Sequence, residues 1–95
     1  MTALHLYILR CADKSLYIGV TAELDSRVDV HNSGRGAAYT AARRPVTLAY
    51  SESHPTLSAA RRREIQIKKW SRAKKEALIA GDTKQLHELS RRRME

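Results

Sequence analysis

Five side chains in this sequence could together hydrolyse a phosphodiester bond with the help of a metal ion: Tyr7, Tyr17, Arg27, His31 and Glu64. Phenol and imidazole groups can accept or relay a proton, a guanidinium group can stabilise phosphate charge, and a carboxylate can bind a divalent cation. Each residue also has an ordinary structural interpretation, since strands favour tyrosine and helix surfaces carry arginine and histidine. Each signal alone is weak, whereas the order of the five residues along the chain is not.

Glu64 is the single acid in a strongly basic segment, residues 61–75, which contains eight lysines and arginines. Helical spacing places it four residues after Ala60 and three before Ile67, on or near the inward side of a helix. There it can pair with a neighbouring arginine or with Arg27, or it can bind a single divalent metal ion. One carboxylate with several waters suits Mg²⁺, and Mn²⁺ is the other candidate. The sequence alone leaves both interpretations open.

The charge distribution indicates a polyanionic partner. The net charge is +8, from 18 Lys and Arg against 10 Asp and Glu, and the excess is concentrated in segment 61–75. Such a segment attracts polyanions, so nucleic acid is the expected partner, with a solvated basic helix face as the alternative. A membrane surface is disfavoured because the segment lacks a bulky apolar face. A protein-interaction adaptor would need an exposed apolar patch, which the sequence does not indicate.

Length and cysteine content limit the architecture. A chain of 95 residues predicts one domain with a modest core. Its one cysteine, Cys11, cannot form an internal disulfide, which favours a reducing cytoplasm. No secretion signal and no run approaching about 18 apolar residues is present. We therefore expect a soluble cytoplasmic protein with no membrane partner and no small-molecule cofactor.

Alternating apolar residues predict a β-hairpin over residues 4–20, with the turn at residues 12–15. If the even-numbered apolar residues of both strands share one buried face, the numbers of cross-strand partners must sum to an even number. The connecting loop must then contain an odd number of residues. Tyr7 and Tyr17 consequently project from the same, opposite face.

A helix should follow from Thr21 as N-cap to Asn32, with Gly34 as its C-terminal stop. Arg27 and His31 share one stripe of this helix with two apolar residues, which suits a helix that packs beside the hairpin and opens onto a cleft. The remaining predicted elements are a flexible basic loop at 33–44 closed by Pro45, a third strand at 46–51, a helix from Leu57 to Trp70 continuing through Leu78 or Ile79, and a last helix at 83–92.

Taken together, these motifs resemble the GIY-YIG nuclease family, and within it the short stand-alone bacterial type. The resemblance covers roughly residues 4 to 80. Its strongest pieces are Leu6 to Cys11, Tyr17-Ile18-Gly19, Arg27 with His31-Asn32-Ser33-Gly34, Thr40 with Arg43-Arg44-Pro45, and Ala60 through Glu64 to Lys69. The resemblance implies the family's α/β (α+β) domain, a three-stranded antiparallel sheet flanked by helices.

The resemblance also implies roles. Tyr7 and Tyr17 would handle the proton of the attacking water, with the general base undecided between them. Arg27 would stabilise the transition state and lower the pKa of the base, since an unperturbed tyrosine titrates near ~10. His31 would orient groups or relay protons, and Glu64 would bind the one metal ion, Mg²⁺ or Mn²⁺.

The resulting prediction is a metal-dependent DNA endonuclease that recognises strand geometry in single-stranded, flapped or branched DNA. A role in DNA repair or recombination follows from the resemblance alone. The rival is a non-catalytic DNA- or RNA-binding module, disfavoured because all five candidate residues are present. We assign residues 1–82 to the nuclease domain and 83–95 to a C-terminal helix and basic tail that pack on or extend it. The predicted nucleic-acid contacts are Arg35, Tyr39, Arg43, Arg44, Arg61, Arg62, Lys68, Lys69 and Lys75; Trp70 is expected in the core.

Overall fold

An antiparallel sheet of three strands, in the order β2-β1-β3, forms the centre of the protein. The structure is a computed structural model that describes residues 3–93, without the side chains of residues 91–93. The strands are β1 (Leu4–Arg10), β2 (Leu16–Thr21) and β3 (Thr47–His54), and the helices are α1 (Leu24–Asn32), α2 (Ala38–Ala41), α3 (Leu57–Lys68), α4 (Arg72–Ala80) and α5 (Thr83–Arg93). The predicted α+β class with a three-stranded antiparallel sheet is confirmed.

The register of the hairpin is the one that the hydrophobic alternation predicts. Tyr7 lies opposite Gly19 and Leu9 opposite Tyr17, so partner numbers sum to an even value, and five residues, 11–15, connect the strands. The rings of Tyr7 and Tyr17 are 6.5 Å apart on the same side of the sheet. Both parts of the prediction are confirmed, because a shift of one residue would exchange the two faces.

Both faces of the central strand are buried. Leu6 and Ile8 pack with Ile18, Ile67 and Trp70, so the expected core position of Trp70 is confirmed. On the other face the buried cluster is Tyr7, Leu9, Cys11 and Val46, with Tyr17 and the α1 residues Leu24 and Val28 packed against it. The tyrosine face is therefore a second small core beneath α1.

Two predicted boundaries around the sheet were wrong. Thr21 ends β2 and does not cap a helix, since its hydroxyl accepts a hydrogen bond from Glu23 N at 3.1 Å and α1 begins at Leu24. A β-branched residue fits the pleated strand, and the hydroxyl stabilises the turn that follows. Strand β3 continues beyond the predicted end, Ser51, to His54. The predicted stop of α1 is confirmed, because Gly34 follows it at φ 85°.

The predicted long helix of residues 57–79 is two helices. Helix α3 ends at Lys68, and the Ser71 hydroxyl caps α4 by accepting from Lys74 N at 3.2 Å. The apolar residues keep a helical spacing across Ser71, which is why one continuous helix was predicted. Serine favours the N-cap position, and here the start of a new helix at Ser71 prevails over that spacing. As a consequence, the basic residues of 61–75 lie on two helices and on the turn that joins them.

The predicted loop at 33–44 contains the short helix α2, on which Thr40 is fully buried. Asn32 anchors the end of this segment, since its amide donates to Val46 O at 2.9 Å and accepts from Val46 N at 2.7 Å. The segment is thus tied to the fold, and its assignment as a loop was wrong over Ala38–Ala41, where the chain is helical.

At the C-terminal end, Gly81 at φ 71° ends α4, and Leu86 of α5 packs against the core cluster. The division of the chain at residues 82 and 83 stays a prediction, and the side chains of the basic tail lie outside the described residues. Within residues 3–93, no helix is long and apolar enough to cross a bilayer.

Candidate active site

A buried chain of hydrogen bonds joins the hairpin to α1 and α2. The Tyr7 hydroxyl lies 3.0 Å from His31 Nε2, and His31 Nδ1 lies 2.7 Å from Thr40 Oγ1. Thr40 Oγ1 donates in turn to the Ala37 carbonyl at 3.0 Å. All three side chains are almost completely buried. Three separate elements therefore meet at one imidazole ring.

The chain of hydrogen bonds fixes the tautomer of His31. A carbonyl oxygen can only accept, so the single hydroxyl proton of Thr40 is used in the bond to Ala37. Thr40 Oγ1 must then accept from Nδ1–H of the neutral imidazole. Nε2 carries a lone pair, and Tyr7 O–H donates to it. The side chains are thus arranged to move a proton from Tyr7 towards His31.

Two glycines allow this packing. A Cβ atom on Gly19, the cross-strand neighbour of Tyr7, would lie 2.5 Å from the Tyr7 hydroxyl oxygen. A Cβ atom on Gly36 would come within 2.9 Å of His31 Cγ and Cε1. Real Cβ atoms essentially never approach other heavy atoms so closely. Both rings therefore occupy space that only a glycine backbone leaves open.

Burial keeps both groups neutral. It raises the pKa of the Tyr7 hydroxyl to about 12, with a smaller contribution from Tyr17, while the Arg27 charge acts in the opposite direction. Burial also lowers the pKa of the His31 imidazole, and the positive charge of Arg27 lowers it further. At neutral pH the resting pair is therefore a protonated phenol and an uncharged imidazole.

Tyr17 lies at the open side of this pair. Its ring centroid is 5.1 Å from that of His31, and Tyr39 stacks on it at 6.2 Å and 27° between planes. The Arg43 guanidinium covers the Tyr39 ring at 3.8 Å and donates to Asp13 at 3.1 Å. A layered stack of two phenols and a guanidinium thus extends from the imidazole towards solvent.

Glu64 is buried, with only 8% of its surface exposed, and both carboxylate oxygens have cationic partners. Arg61 Nη1 lies 3.0 Å from Oε1 and Lys68 Nζ lies 3.2 Å from Oε2, and both cations are more than half exposed. The predicted pairing with a neighbouring arginine is therefore present. It does not preclude a metal role, since each carboxylate oxygen keeps a further lone pair and the two long side chains can turn to solvent.

The described residues fit a metal site built on one carboxylate. No group of three or more His, Cys, Asp or Glu side chains within residues 3–93 could enclose a metal ion. Mg²⁺ commonly takes one or two carboxylates and completes its octahedron with water and substrate phosphate. Glu64 can supply such a ligand, and the other positions would be filled by water and a phosphate oxygen.

The other four predicted catalytic residues all influence the Tyr7 hydroxyl. His31 is hydrogen-bonded to it, and Tyr17, Arg27 and Glu64 each act on its pKa through their charge. Arg27 lies on the exposed side of α1. The structure therefore brings together residues that are as much as 57 positions apart in the sequence, Tyr7 and Glu64.

The predicted nucleic-acid residues fall into separate groups. Lys68 and Lys75 line a groove of about 210 Å³ together with Tyr17 and Tyr39. We call this the tyrosine groove; Leu16 and Ile18 complete it. Exposed residues Arg35 and Arg44 lie on the α1–α2 side, beside Arg43, and Arg61 lies at Glu64. In contrast, Arg62 and Lys69 line a different cavity and do not reach the tyrosine groove.

Sequence reasoning gave no role to Thr40, Gly19 or Gly36. Thr40 was noticed only as part of the motif that precedes Pro45, and nothing in its spacing indicated a contact with His31. A small polar residue eight to ten positions after a helical histidine is too common to be a signal. The two glycines could be read only as turn or strand irregularities, because the rings that approach them come from other elements.

Comparison with known proteins agrees with this geometry. Residues 4–77 match the GIY-YIG catalytic domain. A UPF0213 protein of Natronomonas pharaonis is 48% identical over 79 residues, which cover 83% of this chain and 93% of that protein. The name UPF0213 states no substrate or activity.

Two solved structures are also similar. The solution NMR structure of a UPF0213 protein from Bacillus halodurans is 40% identical, with a TM-score of 0.56 over 84% of this chain and 85% of that one. A solution NMR structure of a protein from E. faecalis, also 40% identical, gives a TM-score of 0.60 over 85% and 86%.

Proposed function

Because the chain belongs to the GIY-YIG family, we propose that it is a metal-dependent endonuclease that hydrolyses phosphodiester bonds in DNA. The observation that carries this proposal is the Tyr7–His31–Thr40 chain, a buried proton path with one defined direction. The charges of Arg27 and Glu64 also act on the pKa of the Tyr7 hydroxyl. A hydrogen-bond network with a purely structural role would not need these two charges.

Tyr7 acts as a relay and not as a preformed base. With a pKa of about 12, its phenolate would be only about 10⁻⁵ of the population at pH 7. The proton of the attacking water therefore passes to the Tyr7 oxygen as the Tyr7 proton passes to His31 Nε2. The water oxygen forms a bond to phosphorus, the bond to the leaving oxygen breaks, and that oxygen takes a proton from solvent.

Arg27 and Glu64 supply the charges around this step. Arg27 faces the developing negative charge of the phosphoryl oxygens, for which a guanidinium is well suited. Glu64 would hold the divalent ion, which when bound neutralises phosphate charge and lowers the pKa of a bound water. Arg61 and Lys68, released from the carboxylate, would then contact the backbone of the substrate.

The tyrosine groove supports a preference for unpaired strands. The exposed part of Tyr39 offers an aromatic contact to an unpaired base, and Lys68 and Lys75 offer positive charge to the phosphates. Among the described residues, the side chains that line the groove include no fork of donors that could read a base pair. We therefore propose selection by strand form, for single-stranded, flapped or branched DNA, with a cellular role in repair or recombination.

The alternative is a binding module for DNA or RNA that does not cut. It would use the same basic side chains but would not need Tyr7 to donate to a neutral histidine. The two functions differ in their response to a single change. A binder would tolerate Glu64→Ala, whereas an enzyme would lose turnover while it still binds.

Cleavage of labelled single-stranded, duplex and branched DNA tests the proposal. Wild type and Glu64→Ala are compared with Mg²⁺, Mn²⁺ or chelator, with binding followed in parallel. Glu64→Gln serves as a second variant, because it keeps the size and the hydrogen bond to Arg61. Metal-dependent cutting by wild type only, with binding retained in both variants, supports the enzyme. Binding without cutting by any of the three proteins, in every metal, would establish the module instead.

A further inference from the structure

The basic residues of α3 form two rows on different sides of the helix. Arg61 and Lys68 make one row, beside Glu64 at the active site. Arg62 and Lys69 make the other, which is turned by ~100° because each follows a member of the first row by one residue. The second row faces a separate cavity of about 660 Å³ between α3, α4 and α5.

This second cavity combines three cationic side chains with an apolar surface. We call it the tryptophan groove; it is lined by Arg62, Ile65, Gln66, Lys69, Trp70, Lys74 and Ser90. Lys74 is 93% buried, and its ammonium nitrogen lies 4.2 Å from the centre of the Trp70 ring. Three cations thus surround one open surface together with an amide and a hydroxyl that can donate further hydrogen bonds.

The two grooves share no lining residue. A nucleic-acid strand that follows the tyrosine groove past the active site would run along one side of α3, and a second segment would meet Arg62 and Lys69 on the other side. The molecule is only 19 Å across its shortest axis, so two segments of one branched or partly duplex substrate can reach both grooves.

We propose that the tryptophan groove binds the sugar-phosphate backbone of a second nucleic-acid segment, so that α3 separates the strand being cut from an adjoining duplex arm. This inference rests on the proposed action on DNA and specifies its substrate: a junction between single-stranded and duplex DNA. Arg62 and Lys69 contact phosphates, and Lys74, fixed against Trp70, adds positive charge at the base of the groove. The contacts carry no sequence information.

The test compares two variants that each lose two positive charges. Arg62→Gln/Lys69→Gln changes the tryptophan groove, and both residues are exposed, so the fold should be retained. Lys14→Gln/Lys84→Gln removes two exposed charges elsewhere. Binding is measured by fluorescence anisotropy in chelator, so that no cutting occurs. The probes are a single strand of about six nucleotides and a forked duplex that contains the same strand as one arm.

We expect Arg62→Gln/Lys69→Gln to bind the forked duplex roughly 25-fold more weakly than wild type at ~0.1 M salt. The slope of log K against log salt should fall in magnitude by about 1.4 to 1.8, because each of the two lost phosphate contacts contributes ~0.7 to 0.9 to that slope. Binding of the short strand should change by no more than about twofold, as should both probes with Lys14→Gln/Lys84→Gln.

Three results would overturn the inference: unchanged binding of the forked duplex, an equal loss for the short strand, or an equal loss in the control variant. The binding assay is independent of catalysis. If no DNA is cut with Mg²⁺ or Mn²⁺ and the binding pattern still holds, the endonuclease proposal fails while the second binding segment stands. If the wild type cuts DNA but Arg62→Gln/Lys69→Gln binds the forked duplex as tightly as wild type does, only the proposed binding of a second segment is rejected.

Discussion

Replacing Thr40 by valine should interrupt the proton path without changing the shape of the site. Valine is nearly isosteric with threonine but cannot accept from His31 Nδ1, which now lies 2.7 Å from the hydroxyl. Two outcomes are then available to the imidazole. Either Nδ1–H stays buried without a partner, or the proton moves to Nε2, where it faces the Tyr7 oxygen. In the second tautomer Tyr7 can no longer donate to His31.

The magnitude follows from the burial of the site. Thr40 is fully buried, so an Nδ1–H left without an acceptor should lower the free energy of unfolding by about 1 to 3 kcal/mol, while the Ala37 carbonyl keeps its hydrogen bond from Ala41 N. Moving the proton to Nε2 avoids the unsatisfied donor, and the loss of the proton relay should then lower the single-turnover cleavage rate by roughly 10² or more, the usual range for a general base. DNA binding should be unaffected, because Thr40 is not at the surface.

Thr40→Ser is the matched control. It keeps the hydroxyl and loses one methyl group, so it should lose roughly 1 kcal/mol of stability and keep the cleavage rate within a few fold. The ¹⁵N shifts of His31 report the tautomer directly in all three proteins. Cleavage by Thr40→Val at the rate of Thr40→Ser, or a protonated Nε2 in the wild type, would refute the assigned direction of the path.

Three further outcomes follow from the same geometry. Gly19→Ala should displace the Tyr7 ring, because its Cβ would meet the hydroxyl oxygen at 2.5 Å; we expect a loss of about 1 to 3 kcal/mol in unfolding by urea and loss of cleavage, whereas a wild-type rate would show that the ring position is unimportant. The cleavage rate should rise with pH through the pKa of His31, which burial lowers below its usual 6.5, since only the neutral imidazole accepts a proton. A half-maximal rate at or above pH 6.5, or a rate that falls as the imidazole becomes neutral, would contradict this. Glu76→Gln should cost at most ~1 kcal/mol at pH 7, because the bonds to Arg10 are partly exposed. The hydrogen bond from Arg10 lowers the pKa of Glu76 in the folded protein to about 2. The difference in the free energy of unfolding between wild type and Glu76→Gln should therefore shrink as the pH falls from 4.5 through that pKa. A difference that stays the same over this pH range would be inconsistent with the ion pair.

Patterns of local origin were predictable from the sequence. The hairpin register followed from the alternation of apolar residues. If the apolar residues of both strands share one buried face, the numbers of paired residues must sum to an even number, as they do in the structure. The end of α1 shortly before Gly34 followed from the preference for glycine at the left-handed position after a helix. The order of the five candidate residues indicated the site, although each alone had an ordinary interpretation. These features depend on neighbours in sequence or on the period of one element.

Features that depend on tertiary contact were not predictable. Nothing local indicates that Thr40 meets His31, since burial of α2 against α1 decides it. The break between α3 and α4 was missed because the apolar period continues through Ser71, whose capping bond is visible only in three dimensions. For the same reason the basic segment was treated as one surface, although its cations line two grooves.

The most direct test of the proposed mechanism is single-turnover cleavage of a forked DNA by wild type and Tyr7→Phe, purified in parallel and assayed with Mg²⁺. Phenylalanine keeps the ring that packs over Gly19 and removes only the hydroxyl that donates to His31 at 3.0 Å. We predict that binding of the DNA is unchanged and that the cleavage rate falls by about 10² to 10⁴. Cleavage by Tyr7→Phe at the wild-type rate would contradict the assignment of the proton path to Tyr7, His31 and Thr40.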